Sequence, residues 1–202
     1  MKGRMKKLWK MLLSGTCAFI LAVPSVNVGL VSAAEPAAEE AAEVPGTDIY
    51  PVVQSMTEES GDGMTLDGTV DLIIHGDQVD AAVPKIKAIL EEEGIAYQEA
   101  DAVTEGNAAI FITSDADHCD ACGETFGDET ALAEEQGYVL KASDSENAKG
   151  QVTIIGADAD GAYNGILTLK QMLEQRTSDG RIAEVEISDW PDVKLQIGRA
   201  HV

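Results

Sequence analysis

Basic residues are scarce in this sequence. Its 202 residues hold 14 Lys and Arg against 36 Asp and Glu, a formal net charge of -22. Nucleic acid is excluded as a partner, because a phosphate backbone attracts Lys and Arg and repels carboxylates. Anionic membrane surfaces are disfavoured for the same reason, and a solvated acidic exterior accounts for the charge. Aromatic residues make up only 4%, so a core has to be built mainly from Ile, Val, Leu and Ala. The signatures of catalysis are missing too. There is no G-x-S-x-G, no H-E-x-x-H and no G-x-x-x-x-G-K-[ST]. What is present is 45% hydrophobic and 25% charged residues, the balance of a soluble globular protein.

The first 34 residues read as a secretory signal. Lys2, Arg4, Lys6, Lys7 and Lys10 form a basic start, residues 11–23 an apolar run, and Val31-Ser32-Ala33-Ala34 a small-residue cleavage motif. Cleavage is expected after Ala33 or Ala34, giving a secreted, extracellular protein with no stable membrane insertion. The competing reading is an uncleaved anchor helix, since residues 11–34 can reach across a bilayer. Cys17 lies in the apolar run and reads as a small hydrophobe. Removing the leader takes five of the 14 basic residues and no acidic one, which leaves nine against 36 and a net charge of -27.

Residues 35–47 (EPAAEEAAEVPGT) have little to bury and read as a flexible spacer. Order is expected from residue 48. The β-prone stretch 48–54 predicts an edge strand carrying Pro51. The stretch 69–75 (TVDLIIH), with a continuous apolar run within it, predicts a buried strand. A helix is expected over 80–93, with Pro84 in its first turn and Gly94 at its stop. Short strands follow at 95–99 and 108–113, a short helix at 128–135, and an antiparallel pair at 137–142 and 151–155. Asp158 or Asp160 can cap a second long helix over 162–175, and a last strand is expected over 182–187. Strand-helix-strand and hairpin connections both occur. The expected fold is α/β of the α+β kind, a mixed sheet with its main helices packed on one side.

Four constellations invite a chemical reading. Cys119-Asp120-Ala121-Cys122 is a C-x-x-C that can be redox-active, half a zinc site or a short disulfide. It stands in an Asp-rich loop rather than at a helix start, and two further zinc ligands are missing. The pair is read as structural or incidental, a candidate disulfide, with no metal site. Asp115, Asp117 and Asp120 fail calcium-loop spacing, because Cys119 stands where Asp or Asn is wanted. Gly127-Asp128-Glu129 resembles an acid-catalyst pair but sits in a loop or at a helix start, where carboxylates suit the helix dipole. The stretch GADADGAYNG has no phosphate-binding Lys and reads as a capped strand-to-helix turn. No catalytic residue and no cofactor is assigned, and substrate-binding residues stay unassigned.

Four stretches occur in an order that carries a resemblance: IYPVVQ at 49–54, EEQGYVLKAS at 134–143, VTIIGADADGAYNGILTLKQML at 152–173 and VEISDWPDVKL at 185–195. Together they resemble the N-terminal domain that precedes the catalytic barrel in bacterial glycoside hydrolase family 84, the β-N-acetylglucosaminidases and hyaluronidase-like enzymes. A related domain precedes the barrel in family 20 hexosaminidases. The resemblance spans residues 48–195. It implies the accessory domain of a secreted β-N-acetylglucosaminidase that acts on N-acetylhexosamine-containing glycans, with its own catalytic barrel as partner. In family 84 the substrate's acetamido group is the nucleophile, aided by two adjacent barrel aspartates. This sequence contains no Asp-Asp pair, so no family residue is carried over.

A barrel takes about 250 residues, whereas the sequence runs seven residues past Leu195. Those residues, 196–202, depart from the family pattern, and IGRAHV is what a common sequencing adapter encodes. The expectation is a truncated, by itself inactive, fragment with a non-native tail, Val193 and Leu195 lying near the barrel junction. The alternative function is a stand-alone extracellular binding or scaffolding module.

Overall fold

Apolar runs too continuous for a one-sided strand become the middle of a sheet, and polar ones become its edges. The computed structural model describes residues 43–59, 61–76, 79, 81–114, 123–145 and 148–192, all within one unit, residues 41–202. The elements are β1 (Ser55–Glu58), β2 (Met64–Thr65), β3 (Thr69–His75), α1 (Ala82–Glu92), β4 (Ala96–Glu99), β5 (Ala109–Thr113), a 3-10 turn (Thr130–Ala133), β6 (Tyr138–Ser143), β7 (Gln151–Gly156), α2 (Ala159–Glu174), β8 (Arg181–Ile182) and β9 (Val185–Asp189). Seven strands form one sheet in the order β1-β9-β6-β7-β5-β3-β4, and β2 pairs with β8 in a small ribbon. β3 runs parallel to β4 and β5, and β5 parallel to β7. The β6–β7, β6–β9 and β1–β9 pairs are antiparallel. Every residue of β5 and β7 is buried, as a central strand covered on both faces requires. The edges β1 and β4 carry exposed polar residues, which discourages pairing with another chain.

Both long helices lie on one face. Ile86, Ile89 and Leu90 of α1 and Ile166, Leu169, Met172 and Leu173 of α2 share a core with Val70, Leu72, Ile110, Ile112, Leu140, Val152, Ile154 and Ile187. Alternate residues face the other way. Ile73, Ala109 and Phe111 pack with Ala148, while Val139 and Ile155 pack under Ala131 of the 3-10 turn. The mixed sheet with its main helices on one side is the expected α+β arrangement.

The approach of α2 to the sheet is set by small residues. A Cβ on Gly165 would stand 2.5 Å from Ile154 Cγ2, and one on Gly161 only 2.0 Å from the Gly137 carbonyl oxygen. Asp158 caps this helix, its Oδ1 accepting from Gly161 N at 2.8 Å and its Oδ2 from Gln136 N at 2.9 Å. Gly94, at φ +69°, follows α1, as the sequence predicts.

Three details differ from the sequence reading. Residues 49–54 form no strand; they run over the outer side of α2 with a cis Tyr50–Pro51 bond, and the edge strand is β1, from Ser55. The final strand is split into β8 and β9 by Ala183 and Glu184. The short helix expected over 128–135 is a single 3-10 turn. In each case the local sequence is compatible with both conformations, and side-chain partners elsewhere decide. Residues 43–48 are tied to the domain by Glu43 to Ser178 N and Oγ, and by Gly46 N to the Gln175 carbonyl at 3.1 Å. No helix among the described residues is long and apolar enough to cross a membrane.

Candidate functional site

Three of the nine aromatic residues meet at one cleft. Tyr50, Tyr138 and Trp190 line a cleft of about 370 Å³ between residues 49–54, the start of β6, the outer face of α2 and residues 189–192. The rest of its wall is Ile49, Pro51, Val52, Val53 and Gln54, Gln136, then Asn164, Leu167, Thr168 and Gln171, and finally Asp189, Pro191 and Asp192. Each of these residues belongs to one of the four stretches that carry the resemblance. Tyr50 is 83% exposed and Val52 85%, so the apolar lip of the cleft is open to solvent.

Glutamines shape it. Gln171 Oε1 accepts from Tyr50 N at 2.8 Å, and Gln175 both accepts from Asp48 N at 3.0 Å and donates to Asp48 O at 2.7 Å. A segment with no strand partner thereby has its backbone groups satisfied by α2. Gln54 ties the segment to the outgoing chain. Its backbone N donates to Asp189 Oδ1 at 3.0 Å, and its side-chain amide donates to Asp192 Oδ1 at 2.5 Å. Thr168 and Tyr138 share a 2.6 Å hydroxyl hydrogen bond. The Tyr138 hydroxyl and the Trp190 backbone N–H also face Asp189. Burial pushes the Asp189 carboxyl above the usual carboxylate value; its donors offset part of that, and the neighbouring Asp192 charge adds to it. Burial likewise raises the Tyr138 phenol. Asp189 is therefore a positioned acceptor clasping two chain segments, and it is not placed as a free acid. The glutamines were not singled out in the sequence, where Gln54, three residues after Pro51, and Gln171 and Gln175, on and just past a long helix, carry no spacing signal.

The sequence-derived candidates fall elsewhere. Cys119 and Cys122, with Asp115, Asp117 and Asp120, lie outside the described residues, as do Ala33, Ala34, Val193 and Leu195. Asp128 is occupied locally. Its Oδ1 accepts from Thr130 N at 3.0 Å, and bonds from Thr130 hold its carboxyl below the usual value. Glu186 Oε1 accepts from Gly127 N at 2.6 Å and Asp128 N at 3.1 Å. The Gly-Asp-Glu triplet is thus a turn pinned to the sheet. Asp158 of the Gly-rich stretch is the helix cap described above. No group of three or more His, Cys, Asp or Glu able to hold a metal occurs among the described residues.

Known proteins share this architecture. The family model for glycosyl hydrolase family 20, domain 2, matches residues 46–190. Among solved structures, one described as CpGH84D superposes with a TM-score of 0.58 at 18% identity, covering 72% of this chain and 24% of that one. An exo β-N-acetylglucosaminidase of family 20 from Vibrio harveyi, in complex with N-acetylglucosamine, gives 0.49 at 16% identity over 71% of this chain and 19% of that one. The chain thus spans about a quarter or less of the proteins it resembles. At these identities the likeness is one of fold. The family match covers all but the last two residues of the cleft and every strand and helix above. The chain belongs to the domain 2 family of glycosyl hydrolase family 20, a domain of hexosaminidase-type glycoside hydrolases.

Proposed function

We propose that this chain is the non-catalytic accessory domain of a secreted β-N-acetylglucosaminidase acting on N-acetylhexosamine-containing glycans, and that the cleft face packs against the catalytic barrel of that enzyme. The observation that carries the reading is the convergence at the cleft. The four stretches behind the family resemblance lie apart in sequence and supply its whole lining. The apolar lip at Tyr50 and Val52 has the character of surface covered by another domain. Chemistry supports the division of labour. An oxocarbenium-like transition state needs carboxylates held at a sugar-sized pocket, and the carboxylates of Asp128, Asp158 and Asp189 are already engaged in holding turns and segments together.

The test compares two products of the gene. Residues 35–195 alone should fold and leave an aryl β-N-acetylglucosaminide intact, whereas the product of the uninterrupted genomic reading frame should hydrolyse it. Turnover by residues 35–195, or a genomic frame beyond Leu195 that closes without encoding a barrel, counts against the reading.

A further inference from the structure

The Asp-Trp-Pro-Asp run at 189–192 closes the described part of the chain and belongs to the stretches behind the resemblance. The fold accounts for its composition. β9 ends at Asp189, and a strand sends successive side chains to opposite faces of its sheet. Ile187 and then Asp189 point to the helix side, where Asp189 meets residues 49–54. The Trp190 side chain goes to the other face and packs on Ala131, Val139 and Ile155. Pro191 has no N–H and cannot extend the ladder. Asp192 comes back to the side of Gln54.

Gln54 holds this run from the helix side. β1 pairs with β9 so that Ser55 stands opposite Ser188, and the same register puts Gln54 opposite Asp189. The Gln54 backbone N donates to Asp189 Oδ1 at 3.0 Å. Its side-chain amide donates to the Trp190 carbonyl at 3.4 Å and to Asp192 Oδ1 at 2.5 Å. Side-chain bonds thus carry the pairing past the point where Pro191 stops the backbone ladder. One exposed hydrogen bond gains little over water. Here the Trp190 ring fixes the same backbone from the opposite face, so the bonds to Gln54 order little that is not already ordered. We propose that residues 189–192 form a two-sided clamp, with the Trp190 ring on one face and Gln54 on the other, which makes the chain's exit from this domain a rigid joint instead of a hinge. Gln54 and Trp190 are its positioning residues. The use of such a joint, to deliver a following domain in one orientation, rests on the accessory-domain reading; its stiffness does not.

The test measures backbone NMR relaxation and amide exchange on the full 202-residue chain. The amides of Trp190 and Asp192 should show order parameters near those of β9, about 0.85, where a flexible linker falls below about 0.6. Gln54→Ala, at an exposed position, should speed exchange at Trp190 and Asp192 several-fold while β5 and β7 stay protected. Trp190→Ala should speed exchange at Gln54, although the ring it removes lies on the opposite face; a ring that only fills its own cluster would leave Gln54 unmoved. Should Trp190→Ala fail to fold, Gln54→Ala decides alone. Order parameters below about 0.6 at Trp190 and Asp192 in the unaltered chain overturn the proposal, as does unchanged exchange there in Gln54→Ala. A flexible exit in a gene that does encode a hydrolase downstream sinks this inference alone. A rigid exit with no barrel encoded beyond it sinks the accessory-domain reading alone.

Discussion

At the scale of single residues, Asp71 is the most consequential side chain outside the cleft. It is fully buried in β3, and its carboxylate accepts from Gln98 Nε2 at 2.6 Å, Asn107 Nδ2 at 3.1 Å and Thr104 N. Burial opposes the charge, but these donors together hold the carboxyl below its ordinary 3.8. The stability it contributes is therefore fully present above about pH 4 and is lost as pH falls through the lower, folded-state value. Asp71→Asn keeps the volume but turns an NH2 toward other donors. It should cost about 2–4 kcal/mol at pH 7, and the gap to wild type should narrow at pH 3, as read by denaturant unfolding at both pH values. Gly161 sets two effects against each other. Alanine improves helix propensity by about 1 kcal/mol, yet its Cβ would meet the Gly137 carbonyl oxygen at 2.0 Å. Backbone cannot move aside as a side chain can, so Gly161→Ala should be a net loss of about 1–3 kcal/mol, seen as a lower Tm. Neither role was legible in the sequence: Asp71 sits in an apolar run and breaks it, and Gly161 reads as one more helix-start glycine.

At the scale of elements, the sheet face away from the helices is held by charges as well as by apolar packing. Lys141 of β6 pairs with Glu124 at 3.1 Å, both largely buried, and also donates to the Thr125 carbonyl at 3.1 Å. Glu186 of β9 accepts from the next residues of the same loop. Lys141→Ala removes this ion pair and the bond to Thr125 at a site with little solvent. Amide exchange in residues 123–128 should then accelerate while β5 and β7 stay protected; unchanged protection of that loop argues against the tether. The Cys119–Cys122 pair precedes these residues in sequence and lies outside the described residues. A bridge there closes too short a loop to restrict the unfolded chain much, so Cys119→Ser with Cys122→Ser should fold normally and the protein should purify without zinc. A double variant that fails to fold, or metal found on analysis, speaks for the other readings of the motif. The elements legible in the sequence are β3, α1, β4, β5, β6, β7 and α2, most of them marked by a strong period or a continuous apolar run. Residues 49–54 were not, because β-prone residues around a proline fit an edge strand as well as a segment strapped to a helix by Gln171 and Gln175.

For the whole molecule, the two helices are fastened to each other at their far ends. Arg176, just past α2, reaches Glu93 after α1 at 2.6 Å, and Lys170 reaches Glu92 at 3.4 Å and Glu174 at 2.6 Å. The exposed Lys170 pairs add little. The apolar seam under them matters more, each buried Ile, Leu or Met contributing about 1.5–3 kcal/mol. Leu169→Ala, at a fully buried position in that seam, should cost about 2–5 kcal/mol. For a domain near 150 residues each kcal/mol is worth about 2–4 °C in Tm, so calorimetry should show a drop of at least several degrees.

The sequence alone determined the acidic charge, the dearth of catalytic motifs, the order of most strands and helices, and the family resemblance. The charge and the order of elements follow from composition and from periodicities local in the chain, and the resemblance rests on four stretches in their order. The tertiary structure decided what those stretches do together. Tyr50, Tyr138, Asn164 and Asp189 are far apart in sequence and become neighbours only because β9 pairs with β6 at one end and residues 49–54 cross α2 at the other. The same step settled the acidic residues. A carboxylate's role depends on the donors facing it: the folded chain selects Asp158 over Asp160 as the helix cap, and it alone shows that Asp71 ties a loop and Asp189 clasps the two sides of the cleft.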